Sequence, residues 1–126
     1  GGFRFIFVGN AAAPREQLVQ YGIVNDYGII AGGTSVHGGS ITAGNPFRIF
    51  STVFNGTSSK LRIAGTDYST ATDIGSDGLS GLTIAGAWDA SLFADISVTD
   101  VIFCNAALTV PQMAAIEAYL TTRYAL

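Results

Sequence analysis

His37 is the chain's single histidine and Cys104 its single cysteine. Any Ser-His or Cys-His nucleophilic scheme must therefore use His37. His37 lies between Gly32-Gly33 and Gly38-Gly39, a stretch that reads as a turn, and a surface histidine is the expectation there. Cys104 ends an apolar run and reads as a small buried hydrophobe rather than a reactive thiol. Glycoside hydrolysis needs two carboxyl groups about 5–9 Å apart across the scissile bond. The two glutamates are Glu16, at an expected loop, and Glu117, in an expected helix, while Asp95 and Asp100 lack the spacing that would put them on one face of a strand. No carboxyl pair forms, and the chain is read as not an enzyme.

Asp73-Ile74-Gly75-Ser76-Asp77-Gly78 follows the outline of an Asp-x-Asp-x-Asp-Gly calcium loop. Gly75 and Ile84 occupy its third and twelfth positions, where oxygen ligands are required, so the segment reads as a turn. No cofactor is expected. A calcium site at a rim, using Asp67, Asp73, Asp77 or Asp89, stays open without a motif to support it. Sugar binding asks for an aromatic plate against a pyranose ring and a few polar groups for its hydroxyls. Trp88 beside Asp89 supplies one of each, as does Tyr68 beside Asp67, with His37 and Asn45 as further hydroxyl partners. Trp88 is equally readable as a core plug. Asn55-Gly56-Thr57 matches a glycosylation acceptor, and a hairpin turn explains it as well.

Composition narrows the partners. The 126 residues are read as one domain spanning 1–126. Hydrophobic residues make up 48% and charged residues 12%, about half the usual share, so Ser, Thr, Asn and backbone must carry much of the polar surface. So few charges suggest that some surface is covered, by copies in a homo-oligomer or by the rest of a larger parent protein. A net charge of −3 with six Lys and Arg provides no basic stripe, which argues against nucleic acid. No apolar run approaches the ~20 residues that a membrane span requires. The chain opens Gly1-Gly2-Phe3 without an initiator Met and is expected to be a processed or excised piece, from which a signal peptide could have been lost.

The elements that must position these residues are mostly strands. Phe3, Phe5 and Phe7 alternate with Arg4 and Ile6, predicting a strand with one buried face. Residues 17–24 and 27–31 are β-branched and aromatic runs split by Asn25-Asp26, a turn pair. Residues 47–54 predict a strand, Asn55-Gly56 a turn with φ > 0, and Lys60-Leu61-Arg62-Ile63 a return strand with its two cations on one face. Residues 82–85 and 96–104 predict two more strands, the latter covered on both sides with Val101 and Phe103 opposite Ile102 and Cys104. The period then changes. Thr109 and Gln112 have capping-box spacing, Pro111 fits a first turn, and Met113, Ile116, Leu120 and Tyr124 form the stripe of an amphipathic helix that should lie as a lid on the sheets.

The last third resembles the closing part of concanavalin A-like jelly rolls of the laminin-G-like group. These end in a strand of the form apolar-apolar-Tyr-Asn-x-x-Leu-Ser/Thr, then a helix ending Tyr-Leu-x-x-Lys/Arg-Tyr. Asn105, Leu108, Thr109, Tyr119, Leu120, Arg123 and Tyr124 fit, with Cys104 where the aromatic is usual. Residues 47–65 are similar to the group's central hairpin. The resemblance is closest from about Phe47 onward, and the chain is shorter than most members and lacks a counterpart of their first strand. It implies an all-β antiparallel jelly-roll β-sandwich with one short C-terminal α-helix. Glucanases of the group carry a Glu-x-Asp-x-x-Glu run, which has no counterpart here. The expected function is a non-catalytic module that binds a glycan or polysaccharide, or acts in adhesion, at an extracellular, cell-surface or virion-associated location. The alternative is a protein–protein packing module of a phage virion or bacterial surface protein. Ca²⁺ in rim loops is what the group would add.

Overall fold

Short β-branched and aromatic runs, each closed by a turn, pair with their neighbours into two antiparallel sheets. The computed structural model describes residues 4–9, 16–21, 26–38, 47–68, 73–87, 89 and 91–126. Strands β1 (Arg4–Val8), β2 (Gln17–Tyr21), β3 (Asp26–Ile30), β4 (Val36–Gly38) and β8 (Thr83–Ile84) form one sheet, in the order β4-β3-β2-β1-β8. Strands β5 (Phe50–Val53), β6 (Lys60–Ile63) and β7 (Thr66–Asp67) form a second, in the order β5-β6-β7. Helix α1 (Val110–Tyr124) closes the chain. Among the described strands, only β8 departs from a simple meander, returning beside β1.

The hairpins follow their turn residues. Gly56, at φ +52, opens a single 3₁₀ turn between β5 and β6, and Asn55 N–H donates to Ser59 Oγ at 2.8 Å. Between β6 and β7, Ala64 and Gly65 both take positive φ, +48 and +80, the two-residue geometry whose twist suits adjoining strands. That turn creates β7, two residues long and too short to show a period in the sequence.

Leu18, Ile29, Ala31, Val36, Leu61, Ile63 and Ile74 are buried as one core between the sheets, and fully burying a side chain of the Leu or Ile kind contributes about 1.5–3 kcal/mol. Tyr27 meets Phe50 across it at 5.0 Å between ring centroids, and Phe7 meets Phe54 edge-on at 5.9 Å. Ile74 is locked in place because Ala31 N–H and Gly33 N–H both donate to its carbonyl, at 2.7 and 2.8 Å. A side chain on Gly33 would meet the Gly75 nitrogen at 2.6 Å, so the two segments approach this closely only through glycine.

Two strand expectations are corrected. Phe5 and Phe7 do not share a face, because the β1–β2 register shifts between them. Phe5 pairs with Val19 and packs on the outer side with Val8, Val19 and Ala87, while Phe7 pairs with Leu18 and faces the core. Phe3 lies outside the described residues. Residues 96–104 are not a strand here. They run irregularly, with Val101 48%, Ile102 51% and Phe103 53% exposed, and Cys104 is exposed rather than buried.

The helix begins as its residues predict. Thr109 N–H donates to Gln112 Oε1 at 2.8 Å, and Pro111 sits in the first turn. Ala125, at φ +52, ends it. Of the expected apolar stripe, only Met113 is buried, and Ile116, Leu120 and Tyr124 are half-buried. The other buried residue is Glu117, which grips the outer face of the second sheet. Arg62 Nε and Nη2 donate to Glu117 Oε1 and Oε2, each at 3.1 Å, and Nη2 also donates to Gly65 O at 3.0 Å. Arg62 thus shares the outer side of β6 with Lys60 as expected, but it is buried there.

Candidate functional site

The β4 rim gathers the largest share of the expected site residues. His37 lies on strand β4, not in a turn, and pairs with Gly28 of β3. That register carries Asp26 alongside, and its Oδ2 lies 3.0 Å from His37 Nδ1. Ser35, two residues before His37 and so on the same face, places its Oγ 2.7 Å from Nε2. With Nδ1–H donated to Asp26, Nε2 accepts the Ser35 hydroxyl, and the imidazole is held at both ends. Asp26 and Ser35 were not singled out by sequence reasoning. Ser35 was legible from the strand period, but Asp26 depends on the β3–β4 register.

This connectivity is that of an acyl-transfer triad. Acyl transfer adds to it a water-excluding pocket and convergent N–H donors at the developing oxyanion. Here the His37 and Asp26 side chains are 41% and 32% exposed. The row of polar atoms is suited to bonding ligand hydroxyls from a fixed position.

Tyr68 stands beside this row. A Cβ on Gly38 would meet Tyr68 Cδ1 and Cγ at 2.7 and 2.8 Å, so the ring lies directly on the glycine next to His37. Tyr68 N–H donates to Leu61 O at 2.9 Å, which fixes the ring's root, and part of the side chain remains exposed. Asp67 precedes it on β7, with its Oδ2 3.9 Å from Lys60 Nζ.

Asp89 is elsewhere. It follows β8, the strand at the opposite edge of the five-stranded sheet from β4. There its Oδ1 accepts from Ser91 Oγ at 2.5 Å. Asp89 and the His37–Tyr68 group therefore belong to separate edges. Trp88 and Asn45 lie outside the described residues.

The calcium alternative divides similarly. Asp73 Oδ1 accepts from Gly75 N–H at 2.9 Å, and Asp77 packs its carboxylate against Gly32. Among the described residues, no group of three or more His, Cys, Asp or Glu side chains is placed to hold a metal ion. Among the described residues, no helix is long and apolar enough to cross a membrane.

A second feature is an apolar cavity of about 1010 Å³. Its walls include Phe7 and Leu18 from the first sheet, residues 47–54 along β5, residues 96–108, and Ile116 and Leu120 of α1. Burial raises the Glu16 carboxyl at its edge, and it raises the Tyr27 phenol against the opposing pull of the Arg48 charge. Compared with known proteins, the chain matches no family model, no curated protein and no solved structure.

Proposed function

We propose that the chain is a non-catalytic carbohydrate-binding or adhesion module, a concanavalin A-like jelly roll of the laminin-G-like type, that recognises glycans at its β4 rim. The observation that carries this reading is the Tyr68 ring seated on Gly38 beside the hydrogen-bonded row Ser35–His37–Asp26. Recognition of a sugar is a pairing of an apolar plate with fixed polar groups, and the rim offers both within one neighbourhood. A shallow, exposed site of this kind suits a module acting at a cell or virion surface.

A glycan-array screen of the chain, with and without EDTA, tests the proposal and its calcium dependence together. Binding is expected, and His37→Ala should weaken it about tenfold, roughly 1.4 kcal/mol, while leaving the melting temperature within a few degrees. Binding that survives both His37→Ala and Tyr68→Ala moves the site away from this rim. No binding to any glycan favours the second reading, a packing module of a virion or bacterial surface. Its own support is the exposed apolar set Phe47, Phe93, Val98, Val101, Ile102 and Phe103.

A further inference from the structure

We infer that residues 96–104 form a strap that docks as an added strand on the edge of β5 away from β6, closing the apolar cavity. Three independent features converge on that edge. Among the described residues β5 is paired only with β6, and no described backbone group bonds its other side. The strap already lines the cavity that runs along residues 47–54, yet none of residues 96–108 makes a backbone hydrogen bond to a described residue. Its side chains are Ile96, Val98, Thr99, Val101, Ile102 and Phe103, which are β-branched or aromatic and favour a pleated strand.

The strap's faces are set by the side-chain anchor at Asp100. Tyr124 donates its hydroxyl to Asp100, and Arg123 Nε lies 3.8 Å from the same carboxylate. Asp100 therefore faces the C-terminal end of α1. In a strand, side chains alternate, so Val98, Ile102 and Cys104 turn with Asp100 toward the helix, where Ile116 and Leu120 are half-buried. Val101 and Phe103 turn the other way, into the space between the sheets where Phe7 and Phe54 meet. Because α1 grips the outer face of β6 through Glu117, a strand added at β5 passes beneath the same helix. Both faces are then covered, and every exposed apolar side chain of the strap has a place to go. The strap is tethered at both ends, by the Ala94 N–H to Ala85 O hydrogen bond and by α1, so docking is intramolecular and outcompetes a strand from solution.

Hydrogen exchange of the unmodified chain tests this directly. Amides in residues 96–104 should exchange at least about a hundredfold slower than in an unstructured peptide, equally at high and low protein concentration. Exchange at unstructured-peptide rates overturns the docked strap. Protection that falls on dilution also overturns it, because the edge would then be occupied by a second copy. Cys104 gives a second readout. Its alkylation by iodoacetamide should be at least about tenfold slower than that of a free thiol, and Thr99→Pro, which removes an N–H and breaks the strand, should restore the fast rate. A thiol that reacts at the free rate in the unmodified chain overturns the proposal, whether or not the proline variant folds.

Discussion

Arg62 and Glu117 are the residues whose chemistry bears most on stability. Both are largely buried, and the guanidinium meets the carboxylate through two parallel hydrogen bonds. Burial alone would raise the Glu117 carboxyl, but hydrogen bonds from Arg62 and Ser51, together with the Arg62 charge, outweigh it and hold the group below its ordinary value of 4.5. Glu117→Ala leaves Arg62 buried without a partner and should lose about 3–5 kcal/mol in urea unfolding at neutral pH. The pH dependence has a definite sign. A carboxyl with a depressed folded pKa stabilises above its unfolded value, and the stabilisation fades as pH falls from about 4.5 through the folded value. The gap between the parent chain and Glu117→Gln should therefore narrow as unfolding is repeated at pH 7, 4.5 and 3. A gap that stays constant would show that the charge on Glu117 is not what holds the helix. At the rim, Gly38→Ala would drive a methyl into the root of the Tyr68 ring, where little can give, and should lose about 1–3 kcal/mol in the same measurement. Tyr68 and His37 were legible as candidate ligand groups from residue type alone. Their relation to Asp26, and their separation from Asp89, were not, since both follow from strand order and register rather than from anything local.

Among the elements, agreement between sequence and structure follows the strength of the local signal. The 109–124 segment carries a capping box, a first-turn proline and a 3.6-residue period, and α1 starts within a residue of where these place it. The pattern did not reveal which face matters most. A hydrophobicity reading sets Glu117 aside as solvent-facing, because its partner Arg62 is fifty-five residues away on β6. The alternation of Phe5 and Phe7 on β1 failed differently. Strict alternation assumes an unbroken register, and the shift between Phe5 and Phe7 sends the two rings to opposite sides. Residues 96–104 carry strand propensity without the hydrogen bonds that would realise it in this conformation. The helix face can be tested by contrast. Met113→Ala empties a buried position and should lose about 2–5 kcal/mol, whereas Tyr119→Ala, on the exposed side, should stay within about 0.5 kcal/mol. Equal losses at the two positions would mean that α1 does not dock by this face.

At the scale of the whole molecule, low charge and exposed apolar surface act together. The chain carries a net charge of −3 and 12% charged residues, so electrostatic repulsion between copies is weak. Phe93, Val98, Val101, Ile102 and Phe103 are all exposed within eleven residues of sequence, and grouped apolar surface of this kind drives association. With the strap docked, most of that surface is withdrawn and β5 no longer offers a pairing edge. Sedimentation velocity across a hundredfold range of concentration separates these states. The unmodified chain should sediment as a monomer at every concentration. Thr99→Pro keeps every apolar side chain of the strap but releases it from the sheet, so its sedimentation coefficient should rise with concentration. Added salt should not reverse that rise, because the attraction is apolar rather than ionic. An unmodified chain that runs as an oligomer of fixed size, without any glycan bound on the array, would instead identify the apolar ribbon as a permanent interface and transfer the functional reading to the packing module.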